Sequence, residues 1–96
     1  MPRLLVKARN GEQKAFKALF DIYKARVYST CLSAIHVRGE AEKLTTQVFL
    51  TLFRNLNTYK SESDFVRRID FLASFISVLH VKRNISDTAH EVEVAL

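Results

Sequence analysis

Phe16-Lys17-Ala18-Leu19-Phe20-Asp21-Ile22-Tyr23-Lys24-Ala25-Arg26-Val27-Tyr28-Ser29-Thr30-Cys31-Leu32-Ser33-Ala34-Ile35 runs for twenty residues without a glycine or a proline. Within it Phe16, Leu19, Phe20, Tyr23, Val27, Cys31, Ala34 and Ile35 recur at the spacing that lines one side of an α-helix. Lys14, Lys17, Lys24 and Arg26 fall largely on the other side. Just upstream, Asn10-Gly11-Glu12-Gln13 supplies a start signal: Asn10 can cap the helix and Gln13 can reach back as in a capping box. The pattern predicts one long amphipathic helix that ends near Ile35.

Similar segments flank it. Leu4 to Arg9 is a short amphipathic piece. His36-Val37-Arg38-Gly39 is a connector short enough to set two helices side by side and antiparallel. The next helix is predicted over about Glu40 to Leu56, with Ala41, Leu44, Val48, Phe49, Leu52, Phe53 and Leu56 as its apolar side. Glu40, Lys43, Gln47, Leu50 and Arg54 group opposite, which leaves Leu50 on a polar face. Asn57 to Asp64 reads as a polar loop whose Ser63 or Asp64 caps the last helix. In that helix, Phe65 to Arg83, the core face is Phe65, Ile69, Leu72, Ile76 and Leu79. Arg67, Arg68, Phe71, Phe75, Val78 and Lys82 form a strip beside it. Residues 84–96 turn mildly acidic with weak periodicity and read as a linker or frayed end, so the expected folded domain is 1–83.

A sheet would need many turns, and the 96-residue chain has only two glycines and one proline, so the expected class is all-α: a small helical bundle of three to four main helices. With 48% hydrophobic and 26% charged residues, the composition is that of a folded globular unit. Fifteen Lys and Arg against ten Asp and Glu give a formal charge of +5, which favours a polyanionic partner without naming one. Cys31, the only cysteine, sits among Val27, Leu32 and Ile35 and reads as a small buried residue of a reducing compartment. The apolar run near the N-terminus is too short for a signal peptide, and no later stretch approaches membrane-spanning length, so a cytoplasmic location is expected.

Catalysis needs a recognisable nucleophile, base or metal constellation. The sequence has no Gly-rich phosphate loop, no cysteine pair and no His-x-x-x-His spacing; His36, His80 and His90 are scattered. No enzyme activity, metal or cofactor is expected. The strip on the last helix is the stronger signal, because alternating aromatic and cationic side chains can stack on unpaired bases while neutralising phosphates. Periodicity equally allows Phe71 and Phe75 to widen the core face with Arg67, Arg68 and Lys82 snorkelling at its edge. Tyr59 and Lys60 in the loop are similarly two-sided: the tyrosine can stack on a base or fold down onto the domain.

From Leu5 to Arg83 the chain resembles region 2 of the extracytoplasmic-function group of bacterial sigma factors. The resemblance is carried by Leu5-Val6-Lys7-Ala8, by Gly11-Glu12-Gln13-Lys14-Ala15-Phe16-Lys17-Ala18-Leu19-Phe20, by Tyr23 and Arg26-Val27-Tyr28, and most specifically by Glu40-Ala41-Glu42-Lys43-Leu44-Thr45-Thr46-Gln47-Val48-Phe49-Leu50. The last segment falls where the family has a helix that docks on the clamp of the polymerase largest subunit. The resemblance therefore implies that Glu40, Lys43, Thr46, Gln47 and Leu50 face that clamp, which gives Leu50 a purpose. It also implies that the loop after this helix captures an unpaired base of the −10 promoter element and that the following helix supports melting and reads the strand. The implied DNA-binding residues are Tyr59, Lys60, Arg67, Arg68, Phe71, Phe75, Lys82 and Arg83.

Phe65, Ile69, Leu72, Ala73, Ile76, His80, Lys82 and Arg83 keep the family's pattern. Lys43 stands where an acid is usual, Gln47 where a glutamate is, Arg68 where a tryptophan is, and Ser74-Phe75 where Arg-Asn is. The leading expectation is a sigma-like initiation domain that binds the RNA polymerase core and promoter DNA, with an anti-sigma factor as an optional partner. The alternative is a diverged module that binds polymerase or a regulator without reading DNA. A membrane-surface role is weaker, because the basic residues spread over several helices. The family's second helical domain, region 4, is not expected within the short stretch after Asn84, which leaves two readings open, a fragment of a longer protein or a stand-alone one.

Overall fold

The computed structural model describes the backbone of residues 2–95 and the side chains of residues 4–83. Among the described residues the chain forms four α-helices, α1 (Pro2–Arg9), α2 (Gln13–Ile35), α3 (Arg38–Arg54) and α4 (Glu62–Ala95), with a 3-10 turn at Leu56–Thr58, and no strand. α2 is the hub: α1, α3 and α4 all pack on it, and α3 also packs on α4. The expected all-α class and the helix order hold.

The helix ends correct the expected boundaries. Asn10 does not cap α2; it closes α1. Gly11 N–H donates to Ala8 O and Glu12 N–H to Lys7 O, a pair of bonds that wraps the last turn of α1 in a Schellman motif. The wrap requires a left-handed residue, and Gly11 has φ +84. Glu12 then precedes α2 without any side-chain cap bond, so the Asn10–Gln13 capping box does not form. At the other end of α2, His36 adopts φ 64 and donates its N–H to Leu32 O. Only His36 and Val37 connect α2 to α3; Arg38 and Gly39 already belong to α3.

α4 begins at Glu62, before the expected start at Phe65. Ser61, not Ser63 or Asp64, holds the cap: its Oγ accepts from Asp64 N–H at 3.2 Å. Asp64 contributes from the third helical position, where its Oδ2 accepts from Lys60 N–H at 3.2 Å. The α4 backbone carries on through 84–95, the stretch read from sequence as a linker or frayed end. His90 and the other side chains of that stretch lie outside the described residues.

The core lies where the three long helices meet. Leu19, Val27 and Cys31 from α2, Ala41, Val48 and Leu52 from α3, and Phe65, Ile69 and Ala73 from α4 are all essentially inaccessible to solvent. Ser77 is buried too, and its hydroxyl donates to Ala73 O at 2.6 Å, so its burial leaves no polar atom unmatched. Ala34 and Leu79, expected on core faces, are instead exposed.

Two polar clasps fasten α2 to α4. Tyr23 Oη donates to Glu62 Oε1 at 2.6 Å. Three residues on, Arg26 donates twice to the Asp70 carboxylate, at 2.8 and 2.7 Å. Together with the buried Phe65, Ile69 and Ala73, they hold one side of α4 against α2 and leave the opposite side to solvent.

Candidate nucleic-acid interface and docking face

The outward side of α4 carries the strip. At about 100° per residue, Arg67, Arg68, Phe71, Phe75, Val78 and Lys82 lie within about 100° of one another around the helix. All six avoid the core: Arg67, Arg68 and Lys82 are exposed, and Phe71, Phe75 and Val78 keep 55%, 49% and 50% of their surface in solvent. The alternative in which Phe71 and Phe75 widen the core face is thereby excluded. The rings of Phe71 and Phe75 stack almost parallel, at 5.7 Å and 10°, and the Arg68 guanidinium sits 5.6 Å from the Phe71 ring.

Charge is unevenly spread along the chain. All fifteen basic residues fall within 1–83, whereas three of the ten acids, Asp87, Glu91 and Glu93, lie beyond Arg83. Among the described residues no ion pair engages Arg67, Arg68 or Lys82, while Lys24, Arg26 and Lys43 each have an acidic partner. The acids closest to the strip in sequence are already occupied: Glu62 accepts from Tyr23, Asp64 from Lys60 N–H, and Asp70 from Arg26. Among the described residues the strip therefore presents cations without an ion-paired acid.

Tyr59 is not on that surface. Its ring is buried, 4% exposed, and meets Phe65 edge-on at 5.5 Å, while Tyr23 meets the other side of Phe65 at 5.8 Å. Burial pushes the Tyr59 phenol above its ordinary pKa, with the Arg68 charge opposing. The expectation of a tyrosine free to stack on a base is corrected: the 3-10 turn folds it down, because its ring completes the apolar seat of Phe65. Lys60 beside it stays exposed. Arg83 also leaves the strip, about 120° around the helix from Phe71. It edges a small recess with Leu44, Gln47 and His80, between α4 and α3.

Folding of the loop against α4 opens two clefts that sequence reading missed. One, of about 340 Å³, is lined by Thr58, Tyr59, Asp64, Arg67, Arg68 and Phe71. The other, of about 290 Å³, is lined by Thr51, Asn55, Thr58, Tyr59, Arg68 and Leu72. Arg68 borders both. Thr51 and Asn55 belong to the end of α3, so no local pattern joins them to Arg68; only the tertiary packing does.

On α3, Glu40, Lys43, Thr46, Gln47 and Leu50 share one side, within about 120° of helix circumference. Lys43, Thr46 and Gln47 are exposed, and Leu50 is 53% exposed with no apolar neighbour from the core to explain it. Glu40 is half-covered, 3.6 Å from Lys43 Nζ and 3.7 Å from His80 Nε2 of α4. The α3 side and the α4 strip are distinct surfaces of one bundle.

The chain is similar to a bacterial sigma factor. Over 87 residues, 91% of this chain, it is 24% identical to the "ECF RNA polymerase sigma factor SigW" of Bacillus subtilis (strain 168). The matched part is 46% of that relative, so the chain spans about half the length of the protein it matches. No protein-family model matches the chain, and no solved structure does. The likeness is distant, and it extends across both the α3 side and the α4 strip.

Among the described residues no three His, Cys, Asp or Glu side chains gather as metal ligands. No helix among them is long and apolar enough to cross a membrane. A recess of about 490 Å³ between α2 and α3 is lined by Phe20, Lys24, Ala25, Tyr28, Glu42, Thr45 and Thr46.

Proposed function

We propose that this chain is a sigma-like transcription-initiation domain, with residues 1–83 as its working unit. In this reading the exposed side of α3, Glu40, Lys43, Thr46, Gln47 and Leu50, docks on the clamp of the RNA polymerase largest subunit. The loop and α4 engage and help open the −10 promoter element through Lys60, Arg67, Arg68, Phe71, Phe75 and Lys82. Arg83, on the α3 side of α4, serves the junction between the two surfaces. The protein makes and breaks no bond; it acts in the cytoplasm, where an anti-sigma factor is a further partner.

One observation carries the nucleic-acid half: Arg67, Arg68 and Lys82 share a helix face with two exposed, stacked phenylalanines and, among the described residues, form no ion pair with an acid. Phosphates supply the missing counter-charge. The 24% likeness to a sigma factor supports the polymerase half. Fluorescence anisotropy of a labelled non-template −10 strand tests the former. Binding is expected to weaken steeply with salt, and Arg67→Ala and Lys82→Ala are each expected to lower the salt slope by about one. Equal, weak binding by wild type and both variants would sink the DNA assignment.

A second reading rests on the replaced acids. Lys43 stands where the family's docking helix is usually acidic, and it forms an ion pair with Glu40, so the α3 side has little net charge with which to meet a basic clamp. A protein-interaction module that does not read DNA fits that surface. Capture of a polymerase clamp fragment by wild type but not by Leu50→Glu is expected if α3 docks there. Failure of both to bind the clamp favours the second reading.

A further inference from the structure

α3 gives way to a turn that must be held in place. The helix ends at Arg54, and the chain then passes through the 3-10 turn at Leu56–Thr58. The bonds of this turn are local: Asn55 Nδ2 donates to Thr51 O, Thr58 N–H and its hydroxyl both donate to Asn55 O, and Tyr59 N–H donates to Leu56 O. Local bonds fix the shape of a turn but travel with it, so they leave its place on the bundle undetermined. Leu56 and Tyr59 are buried, at 5% and 4% exposure, yet apolar burial is non-directional and sets depth without setting rotation.

One bond comes from far away. Arg9, the last residue of α1, donates its Nε–H to Leu56 O at 3.0 Å, across 47 residues of sequence and in a partly buried position. Among the described residues, every other hydrogen bond to the backbone of 55–61 is made within four residues of sequence. The helix from which Arg9 reaches is itself anchored, since Leu5 and Ala8 of α1 are buried in the same apolar cluster as Leu56. A charged donor also makes the stronger kind of hydrogen bond.

We propose that Arg9 is a positioning residue for the loop: its Nε–H holds the 3-10 turn at the angle that sets Thr58 and Tyr59 beside Arg68, and so shapes the two clefts between loop and α4. Thr58 and Tyr59 line both clefts, and they follow the carbonyl that Arg9 holds by two and three residues. Arg9 touches no strand; it acts through the turn. The inference rests on the reading in which the loop engages the −10 element, and it brings α1 into that reading.

A cation at this place has a competing use, direct contact with a strand phosphate, and side-chain chemistry separates the two. Counted from the backbone, glutamine Nε2 occupies the bond position of arginine Nε, and methionine Cε occupies it with no hydrogen to donate. Arg9→Gln therefore keeps a donor for Leu56 O and loses the charge, whereas Arg9→Met loses both.

The full chain and the two variants can be titrated against labelled non-template −10 strands in which each nucleotide in turn is abasic. Wild type is expected to show one position where loss of the base weakens binding most, by at least about fivefold. Arg9→Gln is expected to keep that penalty and Arg9→Met to lose it, both with the salt slope of wild type. Hydrogen exchange at the Tyr59 amide is expected to quicken by about tenfold or more in Arg9→Met and to stay near wild type in Arg9→Gln, with the α2 core amides of Val27 and Cys31 unchanged in both. A penalty lost in Arg9→Gln as fully as in Arg9→Met overturns the hydrogen bond as the cause, and a salt slope lowered by about one in both then assigns a phosphate contact. Faster exchange of the α2 core in Arg9→Met, or failure of that variant to fold, overturns a role confined to the turn. An undiminished penalty in Arg9→Met overturns the positioning and leaves the loop reading standing. A wild type that binds no strand, or shows no base-dependent position, overturns both.

Discussion

Phe65 is enclosed edge-on by Tyr23 from α2 and Tyr59 from the loop, and it is fully buried. Emptying that site should cost about 3–5 kcal/mol, a large share of the stability of a domain this size. Denaturant unfolding of Phe65→Ala is therefore expected to show a sharply lowered midpoint. Tyr59→Phe, which keeps the ring, should remain near wild type in both stability and strand binding; a large loss of strand affinity would show that the Tyr59 hydroxyl does work that its burial hides. Two backbone positions invite opposite changes. His36 pays left-handed strain at φ 64, so His36→Gly is expected to stabilise by about 0.5 kcal/mol. Gly11 sits at φ +84 with open space where a Cβ would point, so Gly11→Ala should destabilise by about 1 kcal/mol through the backbone alone. Thermal melts of both variants check the signs.

At the scale of the elements, the Tyr23–Glu62 and Arg26–Asp70 clasps reinforce the buried packing of α4 on α2. Burial, reinforced by the hydrogen bond to Glu62, pushes the Tyr23 phenol up to about 12, from 10.0. A raised pKa means that the folded state holds the proton more tightly than the unfolded chain. Its stabilising effect is complete below pH 10 and is lost as pH climbs from about 10 to about 12. The stability difference between wild type and Tyr23→Phe should accordingly be flat through neutral pH and change only in that alkaline window. The Arg26–Asp70 pair is half exposed, so salt should weaken it. A double-mutant cycle with Arg26→Gln and Asp70→Asn is expected to give a coupling that shrinks on raising salt; a salt-independent coupling would mean that the pair acts through packing instead of charge.

For the whole molecule, the two proposed surfaces sit on different helices, so their energetics should be separable. Leu50→Glu is expected to abolish clamp capture with strand affinity unchanged, and Arg67→Ala to do the reverse; loss of both by either variant would point to a single shared surface. Helix number, order and core were legible in the chain because burial of an apolar face imposes a 3.6-residue period that local sequence must display. Phe65 and Ile69 could be placed in the core, and Leu50 could be seen to be exposed, on that ground alone. Helix ends were less legible: Asn10-Gly11 signals a stop as readily as a start, and Ser61 competes with Ser63 and Asp64 for one cap. Periodicity was silent on whether Phe71, Phe75 and Tyr59 turn in or out, since a strip at the margin of a helix face can be covered by a neighbour or left bare. That depended on the rotation of α4, held by its buried Phe65, Ile69 and Ala73 and by contacts 39 and 44 residues apart in the chain, from Tyr23 to Glu62 and from Arg26 to Asp70. By itself, then, the sequence determined an all-α bundle with a basic, aromatic last helix. The tertiary structure alone decided that Tyr59 is core, that Phe71 and Phe75 are surface, and that Arg68 borders two clefts, because those outcomes depend on which neighbours long-range packing supplies.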